Sequence, residues 1–192
     1  RKIKNICVKL LGKHNIFNAT AAVIVCLNLG VPQNVIKSSL KRFTGVQRRM
    51  TKLFSKNNND FYDDYAHHPT EITSILDSVK NVCKDREIIS IFEPHRYSRV
   101  MSLKKEFAKS FVNSDLVLLC PMYSAGEKKN SKFNKLEFAK LISKYSKTQV
   151  IVIENFDEIK KFLKNYLKSD EIVIGMGAGS ISKYLGKFKN NL

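Results

Sequence analysis

At 192 residues with 43% hydrophobic content, the chain can bury a core, and its length suits one domain plus part of a second. Its longest nearly apolar stretch, residues 19–27, is interrupted by Thr20 and falls well short of the roughly 20 helical residues that cross a bilayer, so no membrane partner is expected. The formal charge of +17 comes from lysines spread over almost every segment, whereas nucleic-acid binding draws on clustered Lys and Arg that displace phosphate counterions, so no nucleic-acid partner is expected either.

Cys7, Cys26, Cys83 and Cys120 stand too far apart for a close-paired zinc site or a disulfide framework, which fits reduced thiols in a cytoplasmic protein. The chain begins at Arg1 with no signal-type apolar segment after it, and reads as a piece of a longer protein. Arginine is distributed unlike lysine. Arg48, Arg49, Arg96 and Arg99 sit in two short segments, and Arg is the side chain for bidentate recognition of phosphate and carboxylate, so these pairs point to a site.

Residues 14–29 carry Ile16, Ala19, Ala22, Val23 and Cys26 at helical spacing, closed by Gly30 with Pro32 just beyond. A second helix starts near Pro32 and runs through Val35, Ile36 and Leu40 to about Phe43, completing a helical hairpin. A domain boundary is expected near Gly45, giving spans 1–45 and 46–192. The pattern then shortens to a strand at 51–55, a polar turn at 57–60 and a strand at 61–65. Strand-like runs at 87–92, 116–120, 149–153 and 171–174 follow, alternating with amphipathic stretches near 70–83, 102–113, 134–145, 155–168 and 180–188. This alternation predicts an α/β fold, a Rossmann-like, mainly parallel sheet with helices on both faces. In such sheets ligands lie beyond the carboxyl ends of the strands, and the polar segments 63–69 and 93–99 fall there.

All four histidines, His14, His67, His68 and His95, lie in short polar segments rather than on apolar helix faces. Asn15 and Asn18 open the first helix one turn apart; Asn15 can satisfy free backbone amides, while Asn18 lies inside the helix, where Asn is a poor former without another task. Asp63 and Asp64 are adjacent on a strand, so their side chains point to opposite faces and only one can enter the crevice. His95 with Arg96 and Arg99 reads as an anion site. The loop Tyr123-Ser124-Ala125-Gly126-Glu127 is either a glycine turn or a substrate-facing loop. Gly175-x-Gly-x-Gly179-Ser180 either cradles a phosphate at a helix N-terminus or allows tight strand-to-helix packing; its glycine spacing and late position depart from the dinucleotide fingerprint.

Several of these segments together resemble the Mur ligase family. Gly12-x-His14-Asn15-x-x-Asn18 is similar to the end of its central ATPase domain, and Phe43-x-Gly45-x-x-x-Arg49 to its interdomain linker. Asp63-Asp64-Tyr65-Ala66-His67-His68-Pro69 resembles its C-terminal-domain signature. Pro94-His95-Arg96-Tyr97-Ser98-Arg99 resembles the branch that adds L-alanine to UDP-N-acetylmuramate rather than the branch that recycles murein tripeptide.

The resemblance implies that Asn15, Asn18, Arg49, Asp64 and His67 bind ATP, with Asn18 at the adenine, Asp64 at the ribose and Arg49 reaching the phosphates as a catalytic cation. It implies that Tyr65, His95, Arg96, Arg99 and Glu127 bind the amino acid. The implied reaction is ATP-dependent, with Mg2+, through an acyl phosphate, and the implied partners are ATP, L-alanine and UDP-N-acetylmuramate. No Gly-x-x-x-x-Gly-Lys-Ser/Thr loop occurs in these 192 residues. That loop and the magnesium ligands are expected upstream, and the chain alone is expected to be inactive. A non-catalytic nucleotide- or amino-acid-binding module is the alternative.

Overall fold

The computed structural model of the chain describes residues 3–10 and 12–189; the outermost residues of the two expected spans lie outside them. The chain divides into two units, Arg1–Val46 and Gln47–Leu192.

The first unit holds two helices, α1 (Lys13–Asn28) and α2 (Gln33–Arg42), which bury Val23 and Ile36. The expected glycine stop is present. Gly30, at φ 77°, donates to the Leu27 carbonyl at 3.2 Å while Val31 donates to Cys26 at 2.9 Å, the paired bonds of a Schellman ending. Gly12 at φ 97° is the N-cap of α1, so Asn15 stands within the first turn and Asn18 one turn further on, exposed.

The second unit is built on six strands: β1 (Thr51–Lys56), β2 (Asn59–Asp64), β3 (Ile88–Phe92), β4 (Leu116–Leu119), β5 (Gln149–Val152) and β6 (Ile172–Met176). They form one sheet in the order β1-β2-β6-β3-β4-β5, parallel throughout except for the β1–β2 hairpin at one edge. The hairpin turn is two residues rather than the four expected, because Asn57 and Asn58 both adopt left-handed conformations, φ 51° and 62°, which match the twist of the flanking strands.

The central strands read as unbroken apolar runs because both faces of the sheet are covered. Alternation divides their side chains. Ile88 and Phe92 of β3, Val117 and Leu119 of β4, and Ile172, Ile174 and Met176 of β6 pack on one face. There they meet helices α3 (Pro69–Val82), α5 (Lys104–Lys109) and α6 (Lys135–Ser146). Ile89, Ile91, Leu116, Leu118 and Val173 pack on the other against α7 (Phe156–Tyr166) and α8 (Ile181–Phe188).

The expected single helix over 102–113 is instead two short ones, α4 (Tyr97–Ser102) and α5, meeting at Leu103. The helical segment begins at Tyr97 because the Glu127 carboxylate accepts the Ser98 amide at 3.0 Å and so satisfies a first-turn donor. No helix among the described residues is long and apolar enough to cross a membrane.

Candidate functional site

The carboxyl ends of β2, β6, β3 and β4 are neighbours in the sheet, and the segments that follow them carry most of the expected site. Beyond β2, Tyr65 packs edge-on against His67 at 5.1 Å between ring centroids, and His67 lies 5.5 Å from His95, beyond β3. His95 stacks on Tyr123, beyond β4, at 5.4 Å and 13°. Four rings from three strand ends therefore form one continuous row, and Tyr65 and Tyr123 at its ends are exposed.

Backbone bonds fix this row. Tyr123 donates to the Pro94 carbonyl at 2.8 Å and Arg96 donates to the Tyr123 carbonyl at 2.9 Å, a single parallel bridge between the two loops. Arg96 holds φ 70° with ψ 126°, a conformation rarely adopted by a residue with a Cβ. Glu127 closes the same loop pair, its carboxylate accepting both the amide and the hydroxyl of Ser98. Those two bonds, the hydroxyl first, hold its carboxyl below the usual range.

The ring nitrogens have partners of defined chemistry. Arg99 Nη1, which can only donate, lies 3.3 Å from His95 Nδ1, so that nitrogen is the acceptor and the neutral ring carries its proton on Nε2. His67 Nδ1 lies 2.8 Å from the Tyr65 carbonyl, which can only accept, so that nitrogen carries a proton. Burial, with His67, Arg99 and Arg96 nearby, lowers the pKa of His95, which is therefore neutral at pH 7 beside two guanidinium groups. The arrangement offers fixed positive charge and a ring donor at one edge, suited to a small molecule bearing a carboxylate.

The two histidines of the double-His motif have separate tasks. His68 caps α3: its Nδ1 accepts from Thr70 at 3.3 Å, and Glu71 returns bonds to the amides of His67 and His68 at 3.0 and 3.2 Å. Burial opposes ionisation of Glu71, but the His67 amide, the His67 ring and Arg49 together hold its carboxyl below the ordinary value.

The adjacent carboxylates also divide. Asp63 and Asp64 are both buried. Asp63 accepts the Ser182 hydroxyl at 2.6 Å and faces Arg48 Nε at 3.4 Å. Asp64 accepts the Met50 and Ala66 amides at 2.8 and 2.7 Å, tying the segment after the unit boundary to the end of β2. Burial pushes its carboxyl up to about 6 in spite of those bonds. Arg49 is half exposed, 3.5 Å from Glu71 and 5.9 Å from the Tyr65 ring centroid. Arg49, Asp64, Tyr65, His67, His95, Arg96, Arg99 and Glu127 thus belong to the second unit; Asn15 and Asn18 belong to the first.

Two further residues take part, the buried Glu93, which sequence reasoning did not single out, and the half-buried Arg48, which the sequence marked only as one of an arginine pair. Glu93, directly after β3, accepts Ser180 Oγ at 2.6 Å and the Ile181 amide at 3.0 Å. Arg48 donates to the Gly177 carbonyl at 2.5 Å. Among the described residues no group of three or more His, Cys, Asp and Glu could hold a metal ion.

Comparison with known proteins gives one answer from three directions. The family described as "Mur ligase, glutamate ligase domain" matches residues 48–179. The UDP-N-acetylmuramate--L-alanine ligase of Pelagibacter ubique is 50% identical over 183 residues, 95% of this chain and 39% of that protein. The Sulfurihydrogenibium protein of the same name is 40% identical over 172 residues, 90% of this chain and 37% of that protein. The chain thus spans about two fifths of the length of these curated relatives. Among solved structures, the UDP-N-acetylmuramate-alanine ligase of Thermotoga maritima superposes with a TM-score of 0.81 at 26% identity, covering 99% of this chain and 40% of that one. A murein peptide ligase from Psychrobacter arcticus gives 0.69 at 26% identity, covering 97% and 39%. With the matched residues enclosing the row of rings and its arginines, the chain belongs to the Mur ligase family.

Proposed function

We propose that the chain is the amino-acid-binding part of an ATP-dependent ligase that joins L-alanine to the carboxylate of UDP-N-acetylmuramate in peptidoglycan synthesis. The observation that carries the reading is His95 held against Arg99, next to Arg96, in a row of rings at the carboxyl edge of the sheet. Residues 1–45 are read as the end of the central ATPase domain and 46–192 as the C-terminal domain. In the reaction, the γ-phosphoryl group of ATP passes to the muramoyl carboxylate, giving ADP and an acyl phosphate; the amine of alanine then attacks the acyl carbon and inorganic phosphate departs.

In this scheme Arg96 and Arg99 receive the alanine carboxylate, and the donor nitrogen of His95 orients the amino acid. Tyr65 forms one wall and Glu127 holds the loops together. Arg49, half exposed and weakly engaged, is free to extend to the ATP phosphates and offset charge developing in phosphoryl transfer. Asn15, Asn18, Asp64 and His67 serve the nucleotide, with Asn18 at the adenine and Asp64 at the ribose. Magnesium, when bound, would supply charge neutralisation at the phosphates.

The test is a chimera in which this chain replaces the matching part of the P. ubique ligase. Phosphate release that requires both L-alanine and UDP-N-acetylmuramate supports the reading, with no release from the isolated 192-residue chain. Release dependent on murein tripeptide instead of alanine would assign the recycling branch. An inactive chimera whose isolated chain still binds ATP or alanine in calorimetric titration would indicate a binding module.

A further inference from the structure

We propose that Arg48, to which neither the family resemblance nor the chemistry above assigns a role, is a positioning residue that sets the amino-acid side of the site by holding Tyr65 from two directions. Its backbone carbonyl accepts the Tyr65 amide at 2.7 Å, and its guanidinium carbon lies 4.8 Å from the centroid of the same residue's ring. Both contacts come from one residue because Arg48 adopts a left-handed backbone at φ 59°, which turns the segment across the end of β2.

The guanidinium is itself anchored. Nη2 donates to Gly177 O at 2.5 Å, at the end of β6, and Nε faces the buried Asp63 carboxylate at 3.4 Å. Gly177 in turn donates to the Asp64 carbonyl at 3.2 Å. Arg48 therefore joins the segment before β1, the end of β2 and the end of β6 through a planar fork whose remaining face lies over Tyr65.

Its neighbour behaves in the opposite way. The Arg49 side chain is 52% exposed, with Glu71 at 3.5 Å and the Tyr65 ring centroid at a looser 5.9 Å, whereas that of Arg48 is 28% exposed. One arginine of the pair builds the site and the other is free to reach a ligand. Because Tyr65 begins the row Tyr65, His67, His95 and Tyr123, a displaced Tyr65 ring removes the support of the next ring, His67. A lysine cannot reproduce this: its ammonium can reach the Gly177 carbonyl, but it has no plane to lay on the Tyr65 ring.

The proposal rests on the functional reading above, so its test has one arm independent of activity. In the isolated chain, Arg48→Lys should shift the NMR signals of the Tyr65 amide and the His67 ring while signals of α6 and α7 stay in place. In the chimera, Arg48→Lys should raise KM for L-alanine about tenfold and leave KM for ATP within about twofold, a split that general loss of structure does not produce. Unmoved Tyr65 and His67 signals overturn the proposal, as does an unchanged alanine KM, or alanine and ATP KM values that rise together. A chimera that is inactive with Arg48 intact overturns the functional reading, and the role of Arg48 falls with it.

Discussion

Glu93 lies with its carboxylate on the N-terminus of α8, 3.0 Å from the Ile181 amide, in the position where the glycine-rich segment 175–179 would otherwise receive an anion. The two readings that the sequence left open for that segment are thereby separated: the helix end is already served by a buried carboxylate. The Glu93→Ala variant should lose about 2 kcal/mol of stability, since the Ser180 hydroxyl and Ile181 amide are left without their acceptor. Urea unfolding of the isolated chain checks this, and a midpoint unchanged from wild type would contradict it.

Gly175 has the complementary role. A Cβ added there would run into the Leu185 side chain of α8, which packs directly on β6. Gly175→Ala should therefore cost about 1–3 kcal/mol through overpacking. Gly186, where an added Cβ meets nothing within 4 Å, is the control: Gly186→Ala, inside α8, should be neutral or slightly stabilising in the same urea titration.

Asp64 makes the stability depend on pH with a defined sign. Its folded pKa of about 6 lies above the ordinary 3.8 because burial outweighs the Met50 and Ala66 amides. The folded chain therefore binds this proton more tightly than the unfolded one. The contribution to stability is fully present below about pH 4 and is lost as pH rises through about 6. The stability difference between wild type and Asp64→Asn should move against wild type by on the order of 2 kcal/mol from about pH 4 to about pH 7. Unfolding titrations at pH steps across that window measure it; a flat difference, or one moving toward wild type, would contradict the assignment.

The parallel part of the sheet was legible because β3, β4, β5 and β6 are local apolar runs between turn signals, and the helical hairpin because Gly30 and Pro32 mark its turn in the chain itself. The start of α4 was not: the group that satisfies its first turn is Glu127, 29 residues away from Ser98. The hairpin turn came out shorter than expected because Asn59 and Asp60 pair with β1 once Asn57 and Asn58 take left-handed conformations. Within the site, residue types pointed to a carboxylate-binding cluster, and His67, His95 and Tyr123 do meet. The division of labour between neighbours was hidden. Arg48 and Arg49, His67 and His68, and Asp63 and Asp64 are pairs of like residues whose roles are set by partners more than 100 residues distant, as with Gly177 and Ser182, or by a cap formed only in the folded helix.

The central claim is that the arginine and histidine cluster beyond β3 selects the amino acid. It is tested most directly by steady-state phosphate release from the chimera carrying Arg99→Lys, with L-alanine and ATP varied in turn. Replacing the fork that faces His95 with a point charge should raise KM for L-alanine about tenfold or more, with KM for ATP within about twofold of wild type. An unchanged KM for alanine, or a loss confined to ATP, would contradict the account.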